Sequence, residues 1–415
     1  MQDLLYSEIK KYADSKPVRF HMPSHNGEDI GITTDMDITE LSFSDNLIES
    51  NSVIANTEKN IAKAYKTKYA LMLTNGATSG VAIALHTALN YGKKLLVIGK
   101  CHKSVYNYLS LFDFEITFAD CLDNVSANDY DIIIITTPDY FGMTTDIFCL
   151  KDTTALVILD SSHGSHFPFS SKLPDLQTEI ADIVILSFHK TLPVLTGGAG
   201  IICNNEEIYN HLCYSRSILH SSSPSYLIMA SIDRAICNLN NNGEKVYNDC
   251  IIAINDFKCK LNDNYKVIKT DDPTRLCISA KGFDAQEIST QLEAQNIYVE
   301  MTYNDLLIAI VTPYNYKHLV LLADCLNKIK PTIKTNEIKP FKLSKIDTNC
   351  KKIEFVDIEN SINRVSAGNI GIYPPATPMI NINNLISKEV ATFLATTKYE
   401  VFGLINGKIP VFKNE

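Results

Sequence analysis

The sequence predicts an open α/β fold, a mostly parallel sheet between helices, followed by smaller α+β units. Three observations carry this. Short apolar, β-rich runs alternate with helical or loop stretches over about residues 68–205. Those runs lack the polar/apolar alternation of half-exposed strands, which suits parallel strands buried on both faces. The 415-residue length is too great for one simple core and suits two or three domains.

The runs fall at residues 69–74, 94–98, 132–136, 155–160, 183–187 and 198–203. In such a sheet ligands lie beyond the carboxyl ends of the strands, so the residues that follow each run are the informative ones. The first run leads into Asn75-Gly-Ala-Thr-Ser-Gly80 and then a helical stretch over residues 81–89. Small residues opening a helix expose N–H groups, and the helix dipole favours an anion there. Thr78 and Ser79 add hydroxyl donors for a phosphate, although a plain N-cap fits the same residues equally well. The second run is followed by Gly99-Lys-Cys-His-Lys-Ser104, where the His102 imidazole suits stacking on a flat cofactor. A lone histidine more often has a structural role, so His102 draws its weight from its neighbours. The third run ends in a turn, Thr137-Pro-Asp-Tyr-Phe-Gly142, at the same edge.

The fourth run ends in Asp160, followed by Ser161-Ser-His-Gly-Ser-His166. The fifth runs into Phe188-His-Lys190, with Lys190 thirty residues beyond Asp160 (190 − 160). Pyridoxal 5′-phosphate (PLP) needs a lysine to bind its aldehyde and an acid to keep its pyridine nitrogen protonated. An Asp and a Lys at two strand ends supply both. Either alone is usually a cap or a solvated strand end, so the combination across several strand ends makes the case.

After Pro224 a helix is expected over about residues 225–239, and the cluster Asn238, Asn240, Asn241, Asn242 and Gly243 reads as a turn or linker. Residues 244–330 read as helix, strand, helix, strand and helix, a smaller α+β unit. Residues 340–415 end in short strands and carry the loop Tyr373-Pro-Pro-Ala-Thr-Pro378. The expected division is an N-terminal arm or linker (1–30), a large cofactor-binding domain (31–240), a small α+β domain (241–335) and a C-terminal domain (336–415).

Composition is that of an ordinary soluble globular protein, 45% hydrophobic and 20% charged. A net charge of −9 without a basic block argues against nucleic acid or an anionic membrane as the main partner. The first sixteen residues are polar and lack the apolar core of a signal peptide. The longest apolar runs are far short of a membrane span. Eleven scattered cysteines with no C-x-x-C pair suggest reduced thiols in a cytoplasm, with neither a disulfide framework nor a zinc or other metal site.

Read together, the sequence resembles the ornithine/lysine/arginine decarboxylase family, PLP enzymes of the aspartate-aminotransferase fold. The marks run in order from Phe20-His-Met-Pro-Ser-His25 and Asp37-Ile-Thr-Glu40 to Thr74-Asn-Gly-Ala-Thr-Ser-Gly80 and Cys101-His-Lys-Ser-Val105. They continue with Asp160 and His163-Gly-Ser-His166, Ser187-Phe-His-Lys-Thr-Leu-Pro193 and Ser223-Pro-Ser-Tyr-Leu-Ile-Met-Ala-Ser231. Later come Asp272-Pro-Thr-Arg-Leu276, Arg364-Val-Ser-Ala367 and Tyr373-Pro-Pro375, so the resemblance covers nearly the whole chain. It implies a fold-type-I PLP-dependent transferase large domain, with a mostly parallel seven-stranded sheet between helices, and smaller α+β C-terminal domains. In that reading Lys190 carries PLP as a Schiff base and later moves a proton, Asp160 pairs with the pyridinium nitrogen, and His102 stacks on the ring. Ser162 lies beneath the ring and His163 near its O3′ side. Ala77, Thr78, Ser79, Ser187 and His189 hold the phosphate, helped by Ser222 from the second subunit of a homodimer whose active site lies at the interface. The chain looks like the family's short form, without the N-terminal wing domain. The implied reaction is decarboxylation of lysine, ornithine or arginine to the corresponding di- or polyamine, in polyamine biosynthesis. The alternatives are an aminotransferase or lyase on another amino acid, with Arg275 or Arg364 gripping the carboxylate, or a PLP-binding homologue with little or no activity.

The departures from the family pattern cluster near the site. The usual Gly-His-Lys is Ser24-His-Asn26, the usual Ala beneath the ring is Ser162, and a usual Gln is Gly197. A usual Glu is Gly368, and the usual Pro-Gly-Ile-Pro is Pro375-Ala-Thr-Pro378. A buried substrate cation needs a paired charge, and Glu300 and Glu40 are the candidate carboxylates.

Overall fold

The computed structural model describes residues 11–123, 125–335, 341, 344, 352–373 and 377–413. Pro374 to Ala376 of the Pro-rich loop lie outside the described residues. The chain begins with β1 (Val18–Phe20), α1 (Val53–Ala64), β2 (Tyr69–Leu73), α2 (Gly76–Ala88), β3 (Lys94–Ile98), α3 (Lys103–Leu109) and β4 (Glu115–Ala119). It continues with β5 (Ile132–Thr136), β6 (Leu156–Asp160), β7 (Ile183–Leu186), the one-turn α4 (Phe188–Thr191) and β8 (Ala199–Cys203). Seven of these strands form one sheet in the order β2-β8-β7-β6-β5-β3-β4. Only β8 runs antiparallel to its neighbours, and the other pairings are parallel.

The central strands are apolar on every residue because both faces are covered. On one side Leu96, Ile133, Ile135, Val157 and Leu159 share a core with Ile147, Leu150, Phe167 and Phe169 and with α1, which packs on β2. Leu95, Val97, Ile132, Ile134 and Ile158 meet α2, α3 and α5 (Glu206–Leu219) on the other. Each such side chain contributes about 1.5–3 kcal/mol when removed from water. Strand β4 lies outside the six apolar runs of the sequence. It is an edge strand with Glu115, Thr117 and Phe118 exposed, so it carries no continuous apolar run.

A buried ion pair ties this layer together. Arg216 on α5 lies 2.6 Å from Glu58 on α1, and the Met72 N–H of β2 donates to the same Glu58 oxygen at 3.0 Å.

The turn expected at residues 238–243 is instead the interior of a 35-residue helix, α6 (Tyr226–Lys260). Burial overrides local propensity here. Ile232, Ala235, Ile236, Leu239 and Tyr247 pack on the first core, whereas Cys250, Ile254 and Phe257 pack on the next. Gly243 is needed at the crossing: a Cβ there would sit 2.7 Å from the Phe169 carbonyl oxygen.

That next core surrounds β9 (Lys266–Val267), β10 (Arg275–Ser279), α7 (Ala285–Glu293), β11 (Ile297–Val299), β12 (Met301–Tyr303), β13 (Leu306–Ile310) and α8 (Leu319–Lys328). The sheet order is β12-β13-β10-β9. Strand β1, from the expected N-terminal arm, pairs in parallel with β11 and buries Phe20 in this core. A last cluster joins β14 (Ile353–Val356), β15 (Ile370–Tyr373), β16 (Pro378–Ile380), α9 (Lys388–Thr396), β17 (Glu400–Phe402) and β18 (Ile409–Phe412) around Ile370, Ile380, Val390 and Val411. Among the described residues, no helix is long and apolar enough to cross a membrane.

Candidate active site

A cavity of about 150 Å³ opens at the carboxyl ends of the large sheet. Nine of the eleven residues expected at the site line it: Ala77, Thr78, His102, Asp160, Ser162, His163, Ser187, His189 and Lys190. Thr136, Tyr140, Ser104, Gly76 and Val81 complete the wall. Tyr140 belongs to the turn after β5, and its position at a strand end was the signal available for it.

Ser79 and Ser222 are not in the wall. The Ser79 hydroxyl donates to the Gly76 carbonyl at 2.8 Å, turned into its own helix. Ser222 is exposed in this chain.

The phosphate-like end of the cavity is the start of α2. Its N-cap residue, Asn75, makes no side-chain cap, and Gly76 adopts φ +75° to turn β2 into the helix. Ala77 and Thr78 follow, so first-turn N–H groups and a hydroxyl stand beside Ser187 and His189 from the opposite strand end. The Gly198 carbonyl, 3.1 Å from His189 Nδ1, can only accept, so the proton of that ring is on Nδ1.

Asp160 is buried at the end of β6. The Ser162 N–H and hydroxyl both donate to its Oδ1, at 3.2 and 2.5 Å. His102 caps α3: the Ser104 N–H donates to its Nδ1 at 3.2 Å. Burial, with Lys190 and Lys103 adding to it, pushes its pKa down to about 3, so the ring that lines the cavity is neutral.

Lys190 stands on α4, directly after β7. The Ser24 hydroxyl donates to its backbone carbonyl at 2.5 Å and the Ser24 N–H to the His189 carbonyl at 3.1 Å, so the N-terminal segment braces the lysine. Its Nζ lies 3.1 Å from His163 Nε2 and 5.9 Å from the centre of the Tyr140 ring. Burial lowers the Lys190 pKa; Asp160 and Glu300 act against that and Arg275 with it. Burial also holds His163 well below its ordinary range, reinforced by Lys190 and Arg275.

Arg275, on β10 of the second core, reaches back to place its NH2 nitrogen 2.7 Å from His163 Nδ1. Gly142 (φ +84°) makes room for it, since a Cβ there would lie 2.6 Å from the Arg275 Cβ. Arg364, the other arginine singled out in the sequence, pairs with Glu354 and donates to the Phe412 carbonyl at 2.7 Å, within the C-terminal cluster. Glu300, between β11 and β12, accepts from the Met22 N–H at 2.8 Å. Its charge helps raise the Tyr373 pKa to about 12, second to burial. Glu40 sits in a surface loop, bonded to the Thr39 hydroxyl at 2.8 Å.

This donor set fits PLP. It has an anion-binding helix start at one end, a fixed carboxylate in the middle, a neutral imidazole wall and one lysine amine.

The sequence matches the family described as Orn/Lys/Arg decarboxylase, major domain, over residues 4–124 and 117–313. The chain belongs to the Orn/Lys/Arg decarboxylase family. Similar proteins include the Uncharacterized protein YaaO of Bacillus subtilis (strain 168), 26% identical over 94% of this chain and 93% of the relative. The Arginine decarboxylase of the same organism is 23% identical, over 94% and 92%. In fold, the chain is similar to the E. coli constitutive lysine decarboxylase, with TM-score 0.74 at 15% identity, covering 91% of this chain and 75% of that one. It is also similar to the ureidoglycine–glyoxylate aminotransferase of Bacillus subtilis, with TM-score 0.54 at 13% identity, over 75% and 92%. The large α/β domain is therefore of fold type I.

This member's departures from the family pattern are built into its packing. Ser24 braces Lys190 as described. Asn26 accepts from the Thr312 hydroxyl at 2.7 Å and donates to the Arg19 carbonyl at 3.0 Å, stitching the N-terminal segment to the second core. Gly197 has φ +98°, and a Cβ there would lie 2.8 Å from the Thr74 carbonyl oxygen. At Gly368 a Cβ would lie 2.7 Å from Pro410 Cγ, so a glutamate fits only if Pro410 moves. In the Pro375–Pro378 loop the departures are Ala376 and Thr377, and Ala376 lies outside the described residues.

Proposed function

We propose that this chain is a PLP-dependent decarboxylase of a basic amino acid (lysine, ornithine or arginine), releasing the di- or polyamine and CO2. When bound, PLP supplies an electron sink for the pair left on the substrate Cα as CO2 departs. The chain's own residues bind and orient it. The start of α2 with Ala77 and Thr78 holds the phosphate together with Ser187 and with His189, whose Nε2 takes up a proton to donate to it. Asp160, with Oδ1 occupied by Ser162, keeps its other oxygen for the ring nitrogen, and neutral His102 covers one face. Lys190 anchors the cofactor and later carries a proton at Nζ, beside His163. In a homodimer, Ser222 of the second subunit adds to the phosphate end, and the protein works in the cytoplasm.

The observation that carries decarboxylation over transamination is the engagement of Arg275 by His163. Among the described residues no arginine lines the cavity. An arginine clamp stabilises the ionised carboxylate in the ground state and so opposes its loss as CO2. A carboxylate without that clamp is the better leaving group. Glu300 is the carboxylate proposed to receive the substrate's distal cation, since its charge acts on Lys190, Tyr140 and Tyr373 together.

The test is to incubate the PLP-loaded protein with each of the three amino acids and measure amine and CO2. Equimolar amine and CO2 from one of them supports the reading. Formation of a keto acid without CO2 would replace it by transamination.

A further inference from the structure

Two cationic side chains converge on one imidazole. Arg275 NH2 is 2.7 Å from His163 Nδ1, and Lys190 Nζ is 3.1 Å from His163 Nε2. A neutral imidazole offers one N–H and one lone pair. A guanidinium offers only N–H groups and stays charged, so the atom facing Arg275 must present the lone pair. The ring proton is then on Nε2 and points at Lys190. An ammonium at Nζ would oppose this N–H donor to donor, whereas a free amine meets it with a lone pair. Protonating the ring on both nitrogens turns an N–H against Arg275. Moving the single proton to Nδ1 does the same. One assignment satisfies both contacts: Nδ1 accepts from Arg275, and Nε2–H donates to a neutral Lys190.

We propose that Arg275 is a positioning residue that fixes His163 as its Nε2–H tautomer and, through that ring, holds Lys190 as the free amine. The tautomer follows from the geometry alone; its consequence for the cofactor rests on the reading of Lys190 given above.

The groups facing Lys190 divide as this requires. Asp160 on β6 and Glu300 before β12 favour the ammonium, while Arg275 on β10 opposes it. His102 and His163 are held neutral by burial, and Tyr140 presents its ring to Nζ. Among the described residues no carboxylate lies within ion-pair distance of Arg275. Asp139 and Asp272 also feel its charge, so the guanidinium acts on them as well as on Lys190 and His163, but neither carboxylate pairs with it directly. The placement is deliberate in the packing, since Gly142 has no Cβ where the Arg275 side chain leaves its strand.

The free amine is the form that attacks an aldehyde. Its lone pair forms the new N–C bond, and the carbonyl oxygen leaves as water with the two amine protons, giving C=N. An ammonium must first lose a proton to the solvent. Arg275 thus makes Lys190 reactive towards PLP near neutral pH without itself touching the cofactor.

The direct test is long-range ¹H–¹⁵N NMR of protein labelled at the histidine nitrogens. The His163 signals are identified by their loss in His163→Gln. Expected is an unprotonated Nδ1 and a protonated Nε2, unchanged over about pH 6 to 9. A proton on Nδ1 in the unaltered protein overturns the proposal. This measurement needs neither cofactor nor an Arg275 variant.

The second readout is the rate at which the visible band appears when PLP is added to cofactor-free protein, followed against pH. Arg275→Met should move the midpoint up by about one pH unit or more, because a buried neighbouring cation is lost. Arg275→Lys, which keeps the charge, should restore most of the shift. Identical pH profiles for the unaltered protein and Arg275→Met would refute the role of Arg275. If instead the unaltered protein shows the Nε2–H tautomer but forms no band with PLP, the positioning geometry stands and the cofactor reading fails.

Discussion

The Ser162 hydroxyl and backbone N–H both donate to Oδ1 of Asp160, at 2.5 and 3.2 Å. Two donors on one oxygen fix the carboxylate plane and leave Oδ2 as its free face. That is the arrangement a buried acid needs to hold a positive ring nitrogen without reorienting. Replacing Asp160 by Asn keeps the shape and removes the charge. The expected result is PLP still bound, with kcat lower by about 10²-fold or more, the loss usual for one preorganised electrostatic partner. Ser162→Ala should cost less, about tenfold, by releasing the carboxylate plane. Steady-state kinetics with absorbance titration of PLP separate the two. Near-normal turnover in Asp160→Asn would remove Asp160 from the reading.

His102 links the site to stability through pH. Its pKa falls to about 3 in the folded chain because burial disfavours the imidazolium, against about 6.5 when unfolded. Between those values the unfolded chain holds the extra proton, so stability rises with pH across that window and is lost as pH falls through it. His102→Gln should therefore remove about one proton from the uptake linked to unfolding near pH 5. Urea unfolding midpoints measured from about pH 4 to 7 read this slope. An unchanged slope would mean that His102 is not buried neutral.

Gly243 tests the packing of α6. In an exposed helix Gly→Ala is stabilising by about 1 kcal/mol. Here a Cβ would stand 2.7 Å from the Phe169 carbonyl oxygen and 2.8 Å from its Cβ. Gly243→Ala should therefore destabilise by about 1–2 kcal/mol, overpacking outweighing propensity. The comparison is a urea midpoint against that of the unaltered protein. A more stable variant would show that the helix crosses Phe169 less closely.

Gly243 also marks the limit of what the sequence made legible. Its Asn-rich surroundings carry a turn signal, and only the burial of Ile236, Leu239 and Tyr247 on either side reveals a helix. The sheet was legible because β5, β6 and β7 are buried on both faces and so write uninterrupted apolar runs, whereas edge strand β4 does not. The strand-end rule brings Asp160, His102 and Lys190 together because Asp160 ends β6 and the other two sit in the turns just past β3 and β7. It does not settle where the Ser79 hydroxyl points, since a hydroxyl in the first helical turn can as easily bond its own backbone, here at Gly76. Arg275 reaches the site from a second core, and no local pattern encodes that side chain's reach to His163.

Glu300 is the proposed partner of the substrate's distal cation. It is already held by the Met22 N–H at 2.8 Å, so Glu300→Gln keeps a hydrogen-bonded side chain in place while deleting the charge. The expected effect is a rise in KM of about tenfold or more for the basic amino acid, with a smaller change in kcat, as for loss of a partly buried ion pair. An unchanged KM would place the cation elsewhere.

Everything proposed for the site depends on Lys190 being the residue that bonds to PLP. The measurement is borohydride reduction of the protein loaded with PLP, followed by proteolysis and mass mapping of the modified peptide. Expected is one pyridoxyl group, on Lys190, and none in Lys190→Ala. A label on another lysine, or no specific label at all, would contradict it.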